Sequence, residues 1–315
     1  FKSYIMSLLD KTNLLITPNA VKAGKLYSVI PSNGSGDCVV VRNTTATKIN
    51  AAGFIENVSA NTPRLNYLTV GGTPFLLNEP QRTNLLGFSE LLTDASFTRA
   101  RCSVSAFSSI TPRNNLASFK LTDTIDNGSH ILFKSVNTVL NEKNTFSYFL
   151  KKGSLNFAML AYSAGITQST IFNLNTGSIH SQGSNVINST ITPFINGWYR
   201  CSITFNGDGN ALFMRVGTSD GVDSYAGTGS GFIEIFGAQN TVELVNTSYI
   251  PTLSNSSVTR NADVITATPP AGTVKITTTF SNDTTQVITS IPALFTVPEG
   301  LIKQVLMQNS LWYTN

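Results

Sequence analysis

The sequence predicts an all-β protein built around an antiparallel β-sandwich of the jelly-roll kind. Composition is the first reason. Charged residues make up 12% of the 315 residues while hydrophobic residues reach 41%, so charge is scarce but core-forming side chains are not. Ser, Thr, Asn and Gly take the place of the missing charge. Surface helices lean on Glu, Lys, Gln and Arg, whereas Thr, Val, Ile and aromatics suit a pleated, half-buried surface. Periodicity is the second reason. Across the middle of the chain, short segments alternate apolar and polar residues and are separated by Gly, Asn, Asp or Ser. The third is the lack of helical periodicity, without which parallel strands have no crossovers.

Residues 7–30 carry Leu8, Leu9, Leu14, Leu15, Ile16, Val21, Leu26, Val29 and Ile30 without a steady period, punctuated by Pro18-Asn19 and Ala23-Gly24. They read as an extended attachment arm, residues 1–30, with a short helical or strand piece. Met6 reads as a start, with Phe1–Ile5 as either a remnant or the result of a misplaced start. Met6–Lys11 lacks the long apolar core of a signal peptide. Pro31–Asp37 is a loop by composition. A small β region follows over 31–82, with strands at Cys38–Asn43, Thr47–Asn50 and Phe54–Asn57. Gly71-Gly72 turns a hairpin between Leu65–Val70 and Pro74–Leu77.

Residues 83–263 form the predicted sandwich. Strand signals fall at Leu116–Asp123, His130–Lys134, Thr145–Lys151, Asn156–Ser163, Ser169–Asn173, Val186–Pro193, Trp198–Phe205, Ala211–Gly217 and Gly231–Gln239. Phe146, Tyr148 and Leu150 share one face of their strand; Tyr199, Cys201, Ile203 and Phe205 share one face of theirs. That many strands in one region favours a jelly roll over an immunoglobulin module. Residues 264–315, with a linker-like break at Pro269–Gly272, read as a C-terminal β module of four strands. Such a piece buries little by itself, so it is expected to pack on a neighbour or on another subunit.

Net charge is +4, with no run of Lys and Arg interleaved with aromatics. Nucleic acid is therefore not an expected partner, and no apolar stretch reaches membrane-spanning length, so neither is a membrane. Cys38, Cys102 and Cys201 read as reduced thiols acting as small hydrophobes; a Cys102–Cys201 disulfide is the sharper alternative. His130 and His180 are the two histidines, and neither has metal-ligand spacing around it. No catalytic set stands out, and no cofactor is expected. Asp208, Asp220 and Asp223 sit in turn-like sequence and are weak candidates for a structural Ca²⁺.

Several clauses stand apart from this background: Pro63–Tyr67, Leu77–Leu85, Phe149–Gly153, Asn196–Cys201, Gly237-Ala238-Gln239, Ser248–Thr252 and Thr259–Asp263. Glu79 and Arg82 flank Pro80, and Arg260 and Asp263 mirror them at the other end. If the sandwich opens and closes at one place, these four form one network of carboxylates and guanidiniums. Trp198 follows a Gly turn and reads as a core aromatic or as a sugar-stacking platform. Tyr225, in the Gly- and Ser-rich loop 220–231, is the other candidate for glycan contact.

In combination, these clauses resemble a module of bacteriophage structural proteins, notably head fibres, tail fibres and related appendages. The segments 24–31 and 264–315 are similar to fibre proteins of phages of Bacteroidetes hosts, including crAss-like phages. The resemblance implies a non-catalytic virion protein on the particle exterior, homotrimeric, joined to other virion proteins through its N-terminal arm. It also implies a sandwich like those of carbohydrate-binding jelly rolls, with host-surface glycan as a partner. A carbohydrate-binding capsid decoration protein and a polysaccharide-degrading virion enzyme are the alternatives.

Overall fold

The computed structural model describes residues 12–31, 38–114 and 116–309. The expectations for Phe1–Lys11, including Met6 as a start, and for most of the loop 31–37 lie outside the described residues. The chain divides into two compact units, one made of Phe1–Gln81 with Arg260–Asn315 and the other of Arg82–Thr259.

Unit Arg82–Thr259 is the sandwich. One antiparallel sheet runs, edge to edge, Thr98–Ala100, His130–Asn137, Ala211–Ser219, Phe157–Ala161, Ser169–Asn173 and Ser178–Gln182. The other runs Cys102–Phe107, Ser118–Asp123, Phe232–Val242, Lys143–Lys152, Tyr199–Asn206 and Asn188–Pro193. Set aside the edge strands of both sheets that lie beyond the central eight. In chain order, the eight then fall as first, eighth, third and sixth in one sheet, and second, seventh, fourth and fifth in the other. This is the double Greek-key winding of a jelly roll, as the sequence predicts.

The alternation reaches the core as expected. Phe146, Tyr148, Leu150, Cys201, Ile203 and Phe205 are buried against Leu132, Leu160, Phe172 and Val216 of the facing sheet. The strands that the sequence conceals are edges. Ser178–Gln182 is exposed along its whole length, so no face is marked by apolar residues. Thr98–Ala100 and Cys102–Phe107 carry mostly small or polar residues. At Gly237 the long Phe232–Val242 strand bulges, and its register against Lys143–Lys152 shifts between Ser147 and Phe149. Gly237 has φ +64, and a Cβ there would lie 2.9 Å from the Phe149 ring, so both the backbone and the neighbouring ring require glycine.

The other unit corrects the expected division. In its main sheet, Thr285–Ile288, Thr273–Phe280, Gly300–Asn309, Pro74–Asn78 and Arg64–Tyr67 are adjacent in that order, and Thr12–Ile16 also pairs with Gly300–Asn309. Leu14 lies opposite Met307, and Ile16 opposite Val305. Residues 12–30 thus pack into this unit rather than extend from it as an arm. Leu14, Ile16 and Leu26 share a core with Leu76, Ile265, Ile276, Ile302 and Met307. The small β region and the C-terminal module are one body, because neither has enough apolar surface to close a core alone. The boundaries also move, from 82/83 and 263/264 to 81/82 and 259/260.

All three cysteines are thiols. Burial raises the Cys102 thiol to about 11 and holds the Cys201 thiol well above its usual range.

Two measurements check this description. Leu14→Ala should destabilise its unit by about 2–5 kcal/mol in urea unfolding, the range for truncating a buried leucine, where an arm residue would give no change. At pH 8 only about one Cys102 in a thousand is thiolate, so iodoacetamide should label Cys102 and Cys201 slowly in native protein and rapidly in guanidinium.

Candidate functional site

Three of the four predicted network residues, Glu79, Arg260 and Asp263, are brought together, and the network is larger than the sequence shows. Arg260 donates to the Glu79 carboxylate and, at 2.7 Å, to the Pro80 carbonyl. Asp263 binds two arginines that sequence reading missed. Arg42 Nη1 donates to its Oδ1 at 2.7 Å, and Arg64 Nη2 donates to its Oδ2. Arg64 Nη1 also lies 2.8 Å from Glu79 Oε2. The Glu79 and Asp263 backbones are tied as well: the Asp263 amide donates to the Glu79 carbonyl at 2.9 Å, and the Glu79 amide to Asp263 Oδ2 at 3.0 Å. Arg42 adds bonds to the Thr44, Thr62 and Ser59 carbonyls at 3.0, 3.1 and 2.6 Å. Burial lowers the pKa of both Arg42 and Arg260, partly offset by the carboxylates. The clue in sequence was Arg64 inside its own clause; Arg42 carried none.

Arg82 stands apart and pairs with Glu243 in the sandwich unit. There the remaining clauses form a second lock. Asn84 Nδ2 donates to the Ala238 and Ile250 carbonyls at 3.1 and 2.9 Å, while its Oδ1 accepts from the Leu86 and Asn240 amides. Gln239 Oε1 accepts from the Ile250 amide at 2.7 Å. Ser89 and Thr252 exchange amide-to-hydroxyl bonds at 2.9 and 2.8 Å, and the Tyr249 hydroxyl donates to Ser89 Oγ. Arg200 donates to the Thr247 carbonyl and lies over the Phe149 ring. The Ser248–Thr252 clause is therefore a strap held by side chains of the other clauses.

Trp198 takes the core-aromatic reading rather than that of a sugar platform, and Tyr225 is buried as well. Trp198 is fully buried, and its Nε1–H donates to the Ile110 carbonyl at 2.8 Å. The left-handed pair Asn196 and Gly197 turns the chain so that the indole enters the fold. Tyr225 is buried too. Its ring lies 4.6 Å from that of His130, and its hydroxyl meets Thr218 at 2.8 Å and donates to Asp123 at 3.2 Å. Asp123 also accepts from the Thr228 and Gly231 amides, so loop 225–231 is pinned. Burial pushes the Tyr225 phenol up.

The Ca²⁺ candidates do not gather. Asp208 closes a local turn by accepting from the Asn210 amide at 2.9 Å. Asp220 is exposed and Asp223 half-buried. Among the described residues, no group of three or more His, Cys, Asp or Glu could hold a metal ion.

One groove among the described residues sets an aromatic side chain beside polar loop residues, and the sequence reading did not select it. Tyr162, Ser184, Asn185, Val186, Ile187 and Asn206 line a groove of about 400 Å³. It lies where residues 183–187 cross from the edge strand Ser178–Gln182 of one sheet to Asn188–Pro193 of the other. The Tyr162 ring stacks on buried Phe205, with centroids 4.2 Å apart and planes 4° apart. Its hydroxyl donates to the Asn185 carbonyl at 3.1 Å. Asn206 accepts from the Lys143 ammonium. Burial, and then the Asp208 charge, raise the pKa of the Tyr162 phenol. The available signal was alternation: Ala158, Leu160 and Tyr162 share a face, and Tyr162 ends it at a rim of Ser and Asn.

No family model matches the sequence, and no curated protein matches it. Among solved structures, the chain is similar to the N-terminal endo-1,4-β-D-xylanase 10B of Clostridium thermocellum, CBM22-1 and GH10 modules complexed with xylohexaose. Identity is 11% and the TM-score 0.30, over 56% of this chain and 30% of that one.

The two ion-pair sites should differ sharply. Asp263→Ala leaves Arg42 and Arg64 without their shared carboxylate and should cost about 3–5 kcal/mol in equilibrium unfolding. Arg82→Ala breaks a partly exposed pair, with side chains 25% and 20% accessible, and should cost about 1 kcal/mol or less.

Proposed function

We propose that this chain is a non-catalytic structural protein of a bacteriophage virion, a head or tail fibre or related appendage. It sits on the particle exterior, assembles as a homotrimer and attaches to host-surface glycan. The observation that carries the non-catalytic part is how the buried carboxylates are engaged. Glu79 and Asp263 hold arginines. Asp123 holds a loop. Glu234 accepts from the Ser109 and Ser118 hydroxyls, with Lys151 3.5 Å away. Glycoside hydrolysis uses a carboxyl pair about 5–9.5 Å apart across a substrate cleft; here these groups brace the fold. The motifs that resemble phage appendage modules are the same residues that form the two locks, which suits a rigid spacer on a particle surface. The Tyr162 groove supports a glycan-attachment role over that of a bare connector.

Assembly would bury roughly 2,000 Å² or more of surface, the range of obligate interfaces. Phe213, 47% exposed and edge-on to Phe133, lies on an apolar sheet face that a sister chain would cover.

Light scattering should give three times the chain mass, and a stable monomer would overturn the trimer. Incubated with capsule from susceptible cells, the protein should release no reducing ends; measurable depolymerisation would favour the enzyme reading.

A further inference from the structure

We infer that the groove at Tyr162 is a binding site for uncharged pyranose units of a glycan chain, an inference that rests on the attachment role proposed above. Four features of the groove point that way. The first is a fixed aromatic platform. Phe205 covers one face of the Tyr162 ring and is itself fully buried, so the ring keeps its angle, and its remaining surface lines the groove. A sugar ring has a hydrophobic C–H face that an aromatic plane accepts, and a ring with two rotatable torsions loses little entropy on contact.

The second feature is uncommitted hydrogen-bonding capacity beside that ring. Most polar side chains in the two locks are engaged internally. Among the described residues, the side-chain amide of Asn185 and the Ser184 hydroxyl have no internal partner, while the Asn185 backbone amide donates to the Thr167 carbonyl. Asn206 uses its carbonyl oxygen on Lys143, and its NH₂ group stays available. One platform and three polar groups lining the same groove can address the hydroxyls around a ring's rim, the usual division of labour in a small-ligand site.

The third feature is charge balance. The Lys143 ammonium is engaged by Asn206, and Asp208 lies close enough to raise the Tyr162 phenol. A cation and an anion at one rim favour neither an acidic nor a basic ligand, so the site suits neutral sugars. The fourth is size. A volume of about 400 Å³ is at the small end of ligand sites, enough for one or two rings rather than a long stretch. Binding through one platform is weak per chain, and repetition in an assembly would raise it without new contacts.

The test uses the full chain on immobilised neutral oligosaccharides of glucose, mannose, galactose and N-acetylglucosamine, with polygalacturonate as the anionic probe. Wild type should bind at least one neutral probe in preference to polygalacturonate. Tyr162→Ala should weaken binding about tenfold or more, and Asn185→Ala about two- to tenfold, the cost of one lost platform and one lost hydrogen bond. Tyr162→Phe keeps the ring and should stay within about threefold of wild type. Thermal melting accompanies each variant. If Tyr162→Ala melts early, Asn185→Ala on its exposed loop decides. Unchanged binding in both Tyr162→Ala and Asn185→Ala would overturn this site while leaving glycan attachment standing elsewhere on the chain. Preference for polygalacturonate would overturn the neutral class. No binding to any of the probes, neutral or anionic, would overturn both the site and the attachment role.

Discussion

The bidentate grip of Asp263 on Arg42 and Arg64 is the interaction on which the unit formed by the chain's two ends depends. Three buried arginines share one buried carboxylate, Asp263, and one half-buried carboxylate, Glu79, which leaves one excess positive charge largely out of water. Coulomb attraction inside a protein does not by itself offset the desolvation of five ions. The excess is carried by backbone carbonyls of Thr44, Thr47, Ser59, Thr62 and Pro80, each aimed at a guanidinium. Those carbonyls come from turns and strand ends that have no other reason to converge. The network thus specifies a tertiary arrangement that apolar contacts alone would leave loosely defined, and its geometry is what makes the charge tolerable.

The sandwich unit solves a related problem without charge. Residues 243–252 run outside any long strand, and their amides and carbonyls need partners. Asn84, Ser89, Gln239 and Thr252 supply them, each donating and accepting to the strap or to the segment it crosses. Asn84 reaches its full capacity, with two bonds donated and two accepted. Gly237 has a related role, since its bulge opens the space into which Phe149 and Tyr249 pack edge to face, 5.8 Å apart.

Much of the fold was legible in the sequence, because central strands are buried on one side and a two-residue period is enough to show which side. Ser178–Gln182 shows the limit: an edge strand exposed on both faces leaves no period to read. The Glu79–Arg260 pair was legible because proline and opposite charges marked both ends of the module. Arg42 was not, because what defines it is a set of backbone carbonyls brought together only by folding. The glycan-contact readings of Tyr225, and the alternative one of Trp198, miss the structure for a shared reason. Gly-, Ser- and Asn-rich surroundings suggest exposure, yet here they are the tight turns that drive an aromatic inward. Tyr162 was passed over because it ends an apolar alternation, and only the crossing loop of Ser184 and Asn185 makes that end a groove.

The sandwich is threaded into the other unit as a loop with neighbouring ends. Arg82–Asn84 and Val258–Arg260 pair as strands, and the Glu79 and Asp263 backbones are already hydrogen-bonded to each other. The host sheet and its ion network are thus completed by residues that all lie outside the insert, and a short turn from Gln81 to Arg260 would leave them in place. Insertions at such sites are tolerated because the flanking backbone does not have to move. The sandwich can therefore be excised or exchanged at two adjacent points of the chain, while the sheet and ion network of the other unit keep every residue that forms them.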